Sequence, residues 1–293
     1  MQSPPRILVI GSHEGLIPEP VWAKFTSRYN VCMYSFPTTK DFHEALQSGT
    51  HSDVAGIVRL GLNIPVGIDK VAQGWTKRAL PYFPPSLRLI VNFGHGYDEE
   101  DVPGLNAKGI HFLNTTGGSE ATAAVGLYLV ISVFRQLSRY ERMLRNDEFL
   151  PGLRHSAKNA SDPFGKAIGI VGMGSIGQAL AKHTSGLGME IHALDRPNLR
   201  VLMSERHNGQ GLPQIHLHDS IESLVETVDC TVLTCSYSPA THHLLSREVF
   251  GKMKKGARIV NIARGKCIDE IALCDAIESG IVAGVGLDVY YDE

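Results

Sequence analysis

The sequence predicts an α/β protein of two doubly wound parallel-sheet domains, and three observations predict it. Apolar runs of strand length alternate with helical patterns, the arrangement of a parallel sheet covered on both faces. A glycine-rich turn at 172–177 opens a second series of the same kind. The length, 293 residues, is enough for two domains with cores of their own.

In the first series, residues 6–11, 31–35, 54–60, 87–92 and 111–114 read as strands. Helical patterns at 21–28, 40–47, 69–80 and 102–108 fall between them. Pro81, Pro84 and Pro85 break the chain before the fourth strand. The pattern over 119–145 predicts one long helix, capped by Ser119, as a linker between domains. Residues 150–164, rich in Pro, Gly, Ser and Asn, read as a loop. In the second series the strands are 167–171, 190–194, 214–217, 230–235, 258–261 and 282–287. Helices at 220–226, 246–252 and 269–278 lie between the later ones. Six strands is the number in the common doubly wound dinucleotide fold.

The most informative stretch is 166–196. An apolar strand leads into Gly172-Met173-Gly174-Ser175-Ile176-Gly177, which matches G-x-G-x-x-G. A helical pattern follows, with Ile176, Leu180 and Ala181 on one face. The next strand ends in Asp195, about 20 residues past the glycines, with Arg196 beside it. Gly172 makes the tight turn, Gly174 admits a pyrophosphate to the backbone, and Gly177 lets helix pack on strand. The helix N-terminus offers free N–H groups and the positive end of its dipole. Asp195 can accept both hydroxyls of a ribose. A lone G-x-G-x-x-G is weak, but strand, turn, helix, strand and acid agree here on dinucleotide binding.

Composition excludes several classes. Hydrophobic residues make up 43% and charged residues 20%, ordinary for a globular chain. A net charge of −2 with scattered Lys and Arg points to no nucleic acid and no membrane surface as partner. Cys32, Cys230, Cys235, Cys267 and Cys274 form no C-x-x-C and read as reduced, buried thiols. No stretch approaches a membrane span, and no cleavable apolar segment precedes the first strand, so a cytoplasmic location is expected. His242 and His243 are the one histidine pair. Adjacent residues point apart on a helix or strand, so no metal site is expected.

From about residue 87 onward the chain resembles the D-isomer-specific 2-hydroxyacid dehydrogenase family. The resemblance is carried by NFGHGYDEEDV at 92–102, GMGSIG at 172–177, CSYSPATHHLL at 235–245 and NIARGKCIDEIALCDAIESGIVAGVGLDVYYDE at 261–293. It is closest to the glyoxylate/hydroxypyruvate reductase and D-mandelate dehydrogenase-like branch. The resemblance implies a flavodoxin-like substrate domain over 1–115, lacking its usual C-terminal return segment. It implies a Rossmann NAD-binding domain over 116–293 and an active site in the cleft between the two. The implied reaction is NAD(P)-dependent interconversion of a small 2-oxo acid and a D-2-hydroxy acid. A homodimer formed through the cofactor domains is implied as well.

Such a reduction needs a cation for the carboxylate, an acid for the developing alkoxide and a correctly placed nicotinamide. Arg264 follows the strand 258–261 at its carboxyl end, where doubly wound sheets bind ligands. Its planar fork can grip a carboxylate in two places, although a structural Arg capping a strand end fits the position too. Its place in NIARG matches the family's catalytic, substrate-binding Arg. Glu293 matches the catalytic Glu that orients a histidine. Gly94, His95 and Gly96 match the loop whose backbone N–H groups hold the substrate carboxylate. His95 departs from the small or aliphatic residue usual there.

Asp288 matches a residue contacting the nicotinamide carboxamide. Ile262 and Ala263 would pack at the nicotinamide, with Cys235, Ser236 and Thr241 also on the cofactor. Thr241 can equally be a simple helix-approach cap. Thr122 matches a position near the cofactor, and Val125 stands where an acid is frequent. The family's proton-donor His follows the Glu, and the sequence stops at Glu293. The expectation is therefore little dehydrogenase activity from these 293 residues. The alternative is a non-catalytic NAD(H)-binding module that senses redox state.

Overall fold

The computed structural model describes residues 3–34, 39–60, 75–94, 96–98, 100–115, 117–196, 199 and 212–292. The chain divides into two compact units, Met1–Gly118 and Ser119–Glu293.

The first unit holds β1 (Arg6–Ile10), α1 (Glu19–Thr26), β2 (Asn30–Met33), α2 (Thr39–Gln47), β3 (Val54–Arg59), α3 (Trp75–Ala79), β4 (Leu89–Asn92), α4 (Val102–Ala107) and β5 (His111–Asn114). Its strands are parallel, in the order β2-β1-β3-β4-β5. That is the 2-1-3-4-5 flavodoxin-like order. Leu8, Ile10, Phe42, Ile57, Leu87, Ile90 and Leu105 fill its core. Of the predicted helix 69–80, residues 69–74 lie outside the described residues, Trp75–Ala79 forms α3, and Leu80 opens a short 3-10 turn, Leu80–Tyr82.

The second unit begins with α5 (Ser119–Arg135), α6 (Leu137–Arg145) and α7 (Phe149–Asn159). Then come β6 (Ala167–Val171), α8 (Ser175–Gly186), β7 (Glu190–Leu194), β8 (Ile215–His218), α9 (Ile221–Thr227) and β9 (Cys230–Leu233). It closes with α10 (Arg247–Phe250), β10 (Ala257–Asn261), α11 (Glu270–Glu278) and β11 (Val282–Leu287). The sheet is parallel throughout, ordered β11-β10-β9-β6-β7-β8. Counted from β6, this is the 3-2-1-4-5-6 dinucleotide-fold order. The predicted fold class is thus borne out for both sheets.

The local logic follows from burial. All five residues of β6 are buried, the mark of a central parallel strand covered on both faces. Ala167 and Val171 pack with Leu224, Leu233 and Phe250 on one side. Ile168 and Ile170 pack with Leu180, Val232 and Phe134 on the other. Each such side chain contributes roughly 1.5–3 kcal/mol on burial. Asp101, Ser220 and Asp269 cap α4, α9 and α11 with side-chain oxygens on backbone N–H groups.

Three readings are corrected. The long helix over 119–145 is broken into α5 and α6, which bend by 68°. The break is at Gln136, held at φ 53°, where its Nε2 donates to the Asn159 carbonyl at 3.1 Å. α5 is no free linker. It packs on α8, β10 and β11, and Gly126 leaves room for Ile262. Ser119 is the first helical residue rather than the cap, and its hydroxyl donates to Ser175 Oγ at 2.9 Å. Residues 149–159 form α7 instead of a loop. Pro151 lies in the first turn, where a missing N–H costs nothing. Gly152 seats the helix on Met143 of α6. No single helix among the described residues is long and apolar enough to cross a bilayer. The bent pair α5 and α6 passes that test together on length and composition alone.

Candidate functional site

The glycine turn is fixed by close approach. Gly172 has φ 111°, and a Cβ built on it would lie 2.6 Å from both N and Cα of Cys235. A Cβ on Gly177 would overlap the Gly172 carbonyl oxygen. No side chain fits at either position. Thr234 locks the turn by donating to the carbonyls of Val171 (3.2 Å) and Gly172 (2.5 Å). Gly174 is extended at the start of α8 and has nothing within 4 Å of a built Cβ. Open space therefore meets the first turn of a 12-residue helix carrying Ser175 and Ile176. This cradle fits a dinucleotide pyrophosphate.

Asp195 follows β7, half-buried, and its backbone N–H donates to the His218 carbonyl at 2.7 Å. Arg196 is exposed and turns back onto the Asp195 carbonyl at 2.9 Å. Beneath them His192 is buried, its Nδ1 2.8 Å from His218 Nε2 and its ring stacked on His216. Burial, then the neighbouring imidazoles of His216 and His218, pushes the His192 pKa down to about 4.

The segment after β9 carries Cys235 and Ser236. Thr241 closes it as a turn: its hydroxyl accepts from the Ser238 N–H at 2.7 Å and contacts the Ser236 carbonyl at 3.0 Å. Thr241 is therefore a turn residue rather than a helix cap. His243 sits at φ 48°, which corrects the expectation for the histidine pair. Its ring stacks on His242 at 4.0 Å instead of pointing away. Among the described residues no group of three His, Cys, Asp or Glu could hold a metal ion.

Arg264 stands three residues past β10, partly exposed, with Nη1 donating to the Ala263 carbonyl at 2.6 Å. Buried Asn261 builds this turn. Its Oδ1 accepts from the Ala263 N–H at 3.0 Å and its Nδ2 donates to the Arg264 carbonyl at 2.9 Å. Its own carbonyl accepts from the Asp288 N–H at 2.9 Å. One residue thus positions both Arg264 and exposed Asp288. Gly265 has no room for a Cβ, because the Tyr290 carbonyl crosses there. Ile262 and Ala263 are almost wholly buried. The sequence reading missed Thr234 and Asn261. The available signal was a polar residue at the end of an apolar strand, which must find partners when buried.

In the first unit the corresponding strand ends carry Arg59 and Asn92. Arg59 Nη1 donates to Asn92 Oδ1 at 3.1 Å, and Asn92 Nδ2 donates to the Gly96 carbonyl at 3.4 Å. Gly94, at φ 120°, donates its N–H to Thr115 Oγ1 at 2.9 Å. Among the described residues the buried Arg59 Nε has no hydrogen-bond partner. Arg59 is a cation that the sequence reading also missed. His95 and Glu293 lie outside the described residues.

Comparison with known proteins adds independent findings. A family model for the D-isomer specific 2-hydroxyacid dehydrogenase NAD binding domain matches residues 127–293. The chain is 33% identical over 273 residues to 4-methyl-2-oxopentanoate reductase A of Aspergillus oryzae, covering 93% of this chain and 78% of that one. It superposes on the holo form of Rhodotorula graminis D-mandelate dehydrogenase with a TM-score of 0.87 at 30% identity, covering 100% of this chain and 83% of that one. An NADPH-dependent glyoxylate/hydroxypyruvate reductase of Sinorhizobium meliloti, in complex with NADP and malonate, matches with a TM-score of 0.73 at 28% identity. That match covers 99% of this chain and 81% of the other.

Proposed function

The chain belongs to the D-isomer-specific 2-hydroxyacid dehydrogenase family, and we propose how its residues divide that family's work. It is an NAD(P)-dependent oxidoreductase that interconverts a 2-oxo acid and a D-2-hydroxy acid. The three relatives above are all enzymes of this kind, and none favours a non-catalytic sensing module.

One observation carries the assignment of roles. Arg264, the Cys235–Thr241 turn, the Gly172 turn and Asp195 follow four adjacent strands, β10, β9, β6 and β7. They stand at one edge of one sheet, astride the point where strand order reverses. Three strand spacings separate the ends of that row, about 14 Å. In our reading Gly174, Ser175 and Ile176 present backbone N–H groups to the pyrophosphate. Asp195 accepts from the adenosine ribose, and Arg196 lies beside it. Cys235, Ser236, Thr241, Ile262, Ala263 and Asp288 flank the nicotinamide half.

When bound, the cofactor supplies or accepts the hydride. The chain's own task is to hold the acid still and stabilise developing charge. Arg264 grips the carboxylate with its planar fork and polarises the adjacent carbonyl. The buried Asn261 keeps its backbone in place. In the first unit we take Gly96 as the proposed substrate contact, since the Gly94 N–H is already committed to Thr115. His95 and Glu293 keep their proposed substrate and catalytic roles.

The substrates we propose run from glyoxylate and hydroxypyruvate to branched acids such as 4-methyl-2-oxopentanoate. A second copy of the chain covers the apolar surface of α6 and α7, where Leu144, Phe149 and Leu150 are about 60% exposed. A cytoplasmic location accords with five free cysteines.

Binding of a panel of 2-oxo acids to the NADH- and NADPH-loaded protein tests the function, and failure to bind any of them would count against it. Titrating both cofactors tests Asp195. The carboxylate repels a 2′-phosphate, so NADH binds more tightly, and Asp195→Ala narrows the difference. Tighter NADPH binding by the parent would reverse the assignment.

A further inference from the structure

Two of the five cysteines meet at the proposed cofactor site. The Cys235 and Cys267 side chains lie close enough to act on one another directly, within one packed cluster. Cys235 follows β9 and is partly exposed, and its backbone abuts Gly172 of the glycine turn. Cys267 is buried in the short turn Gly265–Cys267 that starts directly after Arg264. Both pack in one apolar cluster with Leu233, Leu245 and Ile268. The backbone knits the two segments together: the Leu245 N–H donates to the Cys267 carbonyl at 3.1 Å, and the His243 N–H to the Lys266 carbonyl at 3.0 Å. The remaining thiols are dispersed. Cys32 belongs to the first unit, Cys230 is buried inside β9, and Cys274 is exposed on α11.

We propose that Cys235 and Cys267 form an oxidisable dithiol at the nicotinamide end of the sheet, closed to a disulfide by peroxide and shielded by bound cofactor. The shielding clause rests on the cofactor reading above, whereas the disulfide does not. The chemistry has two steps. The sulfur of the accessible Cys235 attacks hydrogen peroxide. The O–O bond breaks, one water leaves, and a sulfenic acid remains. The Cys267 sulfur then attacks that sulfur. The S–O bond breaks, the S–S bond forms, and the hydroxyl departs with the thiol proton as a second water. Two thiols are oxidised and one peroxide is reduced to two waters.

The electrostatics favour the second step and oppose the first. The Cys235 and Thr241 side chains, with the Arg264 charge, hold the Cys267 thiol below its ordinary range against the opposing effect of burial. Cys267 is thus the resolving nucleophile. Cys235 is held above its ordinary range, first by the Cys267 side chain and then by burial. The first step is therefore slow at neutral pH and quickens in alkali. Closing the bond brings the sulfurs to about 2 Å. Cys235 cannot yield towards Gly172, where its N and Cα already occupy the space of a Cβ. Closure that draws the turn 265–267 towards Cys235 shifts the neighbouring Arg264 with it.

The test uses the protein carrying Cys32→Ser and Cys274→Ser, which removes two thiols outside the site. It is treated with hydrogen peroxide with and without saturating NADH, alkylated and analysed by mass. The expected product without NADH has lost about 2 Da and yields one cross-linked peptide joining Cys235 to Cys267. NADH slows its formation at least about fivefold, and the oxidised protein binds oxamate about tenfold more weakly until dithiothreitol restores it. Adding Cys235→Ser abolishes the mass loss. That variant is informative even where Cys267→Ser fails to fold, because Cys235 is partly exposed. Oxygen addition without a cross-link, or full alkylation of both cysteines after peroxide, overturns the dithiol. Equal cross-linking rates with and without NADH overturn the shielding. Failure of the reduced protein to bind NADH at all would sink the cofactor reading and leave the disulfide to be judged by mass alone.

Discussion

The two sheets finish their strands by different means. In the second unit the turns after β6 and β10 are held by the Thr234 and Asn261 side chains and, in addition, contain glycines that no other residue can replace, because backbone oxygen or nitrogen occupies the space of a Cβ. In the first unit the turn after β4 is held by side chains: Arg59 on Asn92, Asn92 on Gly96, and Thr115 on Gly94. Turns that also carry such glycines present N–H groups at fixed positions and suit a ligand that never changes. Side-chain-built turns cost about 1 kcal/mol per hydrogen bond to alter, so they can be retuned for substrates of different shape. The comparison assigns invariance to the cofactor side and adaptability to the substrate side, and it can be broken experimentally.

The largest effect should come from Gly172→Ala. The new methyl would sit 2.6 Å from Cys235 backbone atoms, on a residue at φ 111°. Strain and overpacking together should cost about 3 kcal/mol or more. NADH binding should fall by over about 100-fold, with a lowered thermal midpoint. Unchanged NADH affinity, measured by fluorescence titration, would mean that the turn is not the cofactor cradle.

Next comes acid sensitivity, to which the second sheet contributes through His192. His192 titrates near 4 in the fold, below its usual 6.5, because it is buried beside His216 and His218. The unfolded chain therefore binds the extra proton between about pH 6.5 and pH 4. Stability is complete above that window and falls as pH drops through it, by up to ~3 kcal/mol for this one group. Urea midpoints at several pH values should show the slope, and His192→Leu should flatten it. An equal slope in the variant would place the acid sensitivity elsewhere.

Arg264→Ala should remove an ion pair worth about 1.5–3 kcal/mol to a bound carboxylate. Oxamate affinity should fall by about 10–150-fold, with NADH affinity nearly unchanged. The parent and variant binding oxamate alike would make Arg264 a structural strand-end residue. Loss of NADH binding as well would mean that the turn built by Asn261 had collapsed.

How far this contrast was legible in the sequence depended on the chemistry involved. The strands of both sheets were readable, since buried parallel strands are near-continuous apolar runs. The turn at 172–177 was readable because only glycine fits there, so composition and geometry coincide. The break between α5 and α6 was not readable, because Gln136 is no helix breaker and its φ of 53° is set by contacts distant in sequence. Helix α7 was hidden by Pro151 and Gly152, which mark a loop by composition but here start a helix and seat it. Thr234 and Arg59 matched no motif, and Asn261 opened NIARG without a role of its own. Their roles are hydrogen bonds to residues that the fold alone brings near. The stacking of His242 on His243 was misread for the same reason, since it needs a left-handed residue that no local pattern announces.

The smallest effect tests the comparison most directly. Thr115 accepts the Gly94 N–H at 2.9 Å, and the two lie 21 residues apart. Thr115→Val keeps the shape and removes the acceptor. The orphaned N–H is only part-buried, so water can replace the lost oxygen, and the cost should be about 1 kcal/mol. NADH affinity should not change, and oxo-acid affinity should shift by less than about fivefold. The direction of that shift is informative. A freed N–H beside Gly96 adds a donor for a carboxylate, so tighter oxamate binding with slightly lower stability would show that the Gly94–Gly96 loop trades order for recognition. If Thr115→Val were instead as damaging as Gly172→Ala, the first-unit turn would be as rigidly specified as the glycine turn. The distinction between an invariant and an adaptable sheet edge would then fall.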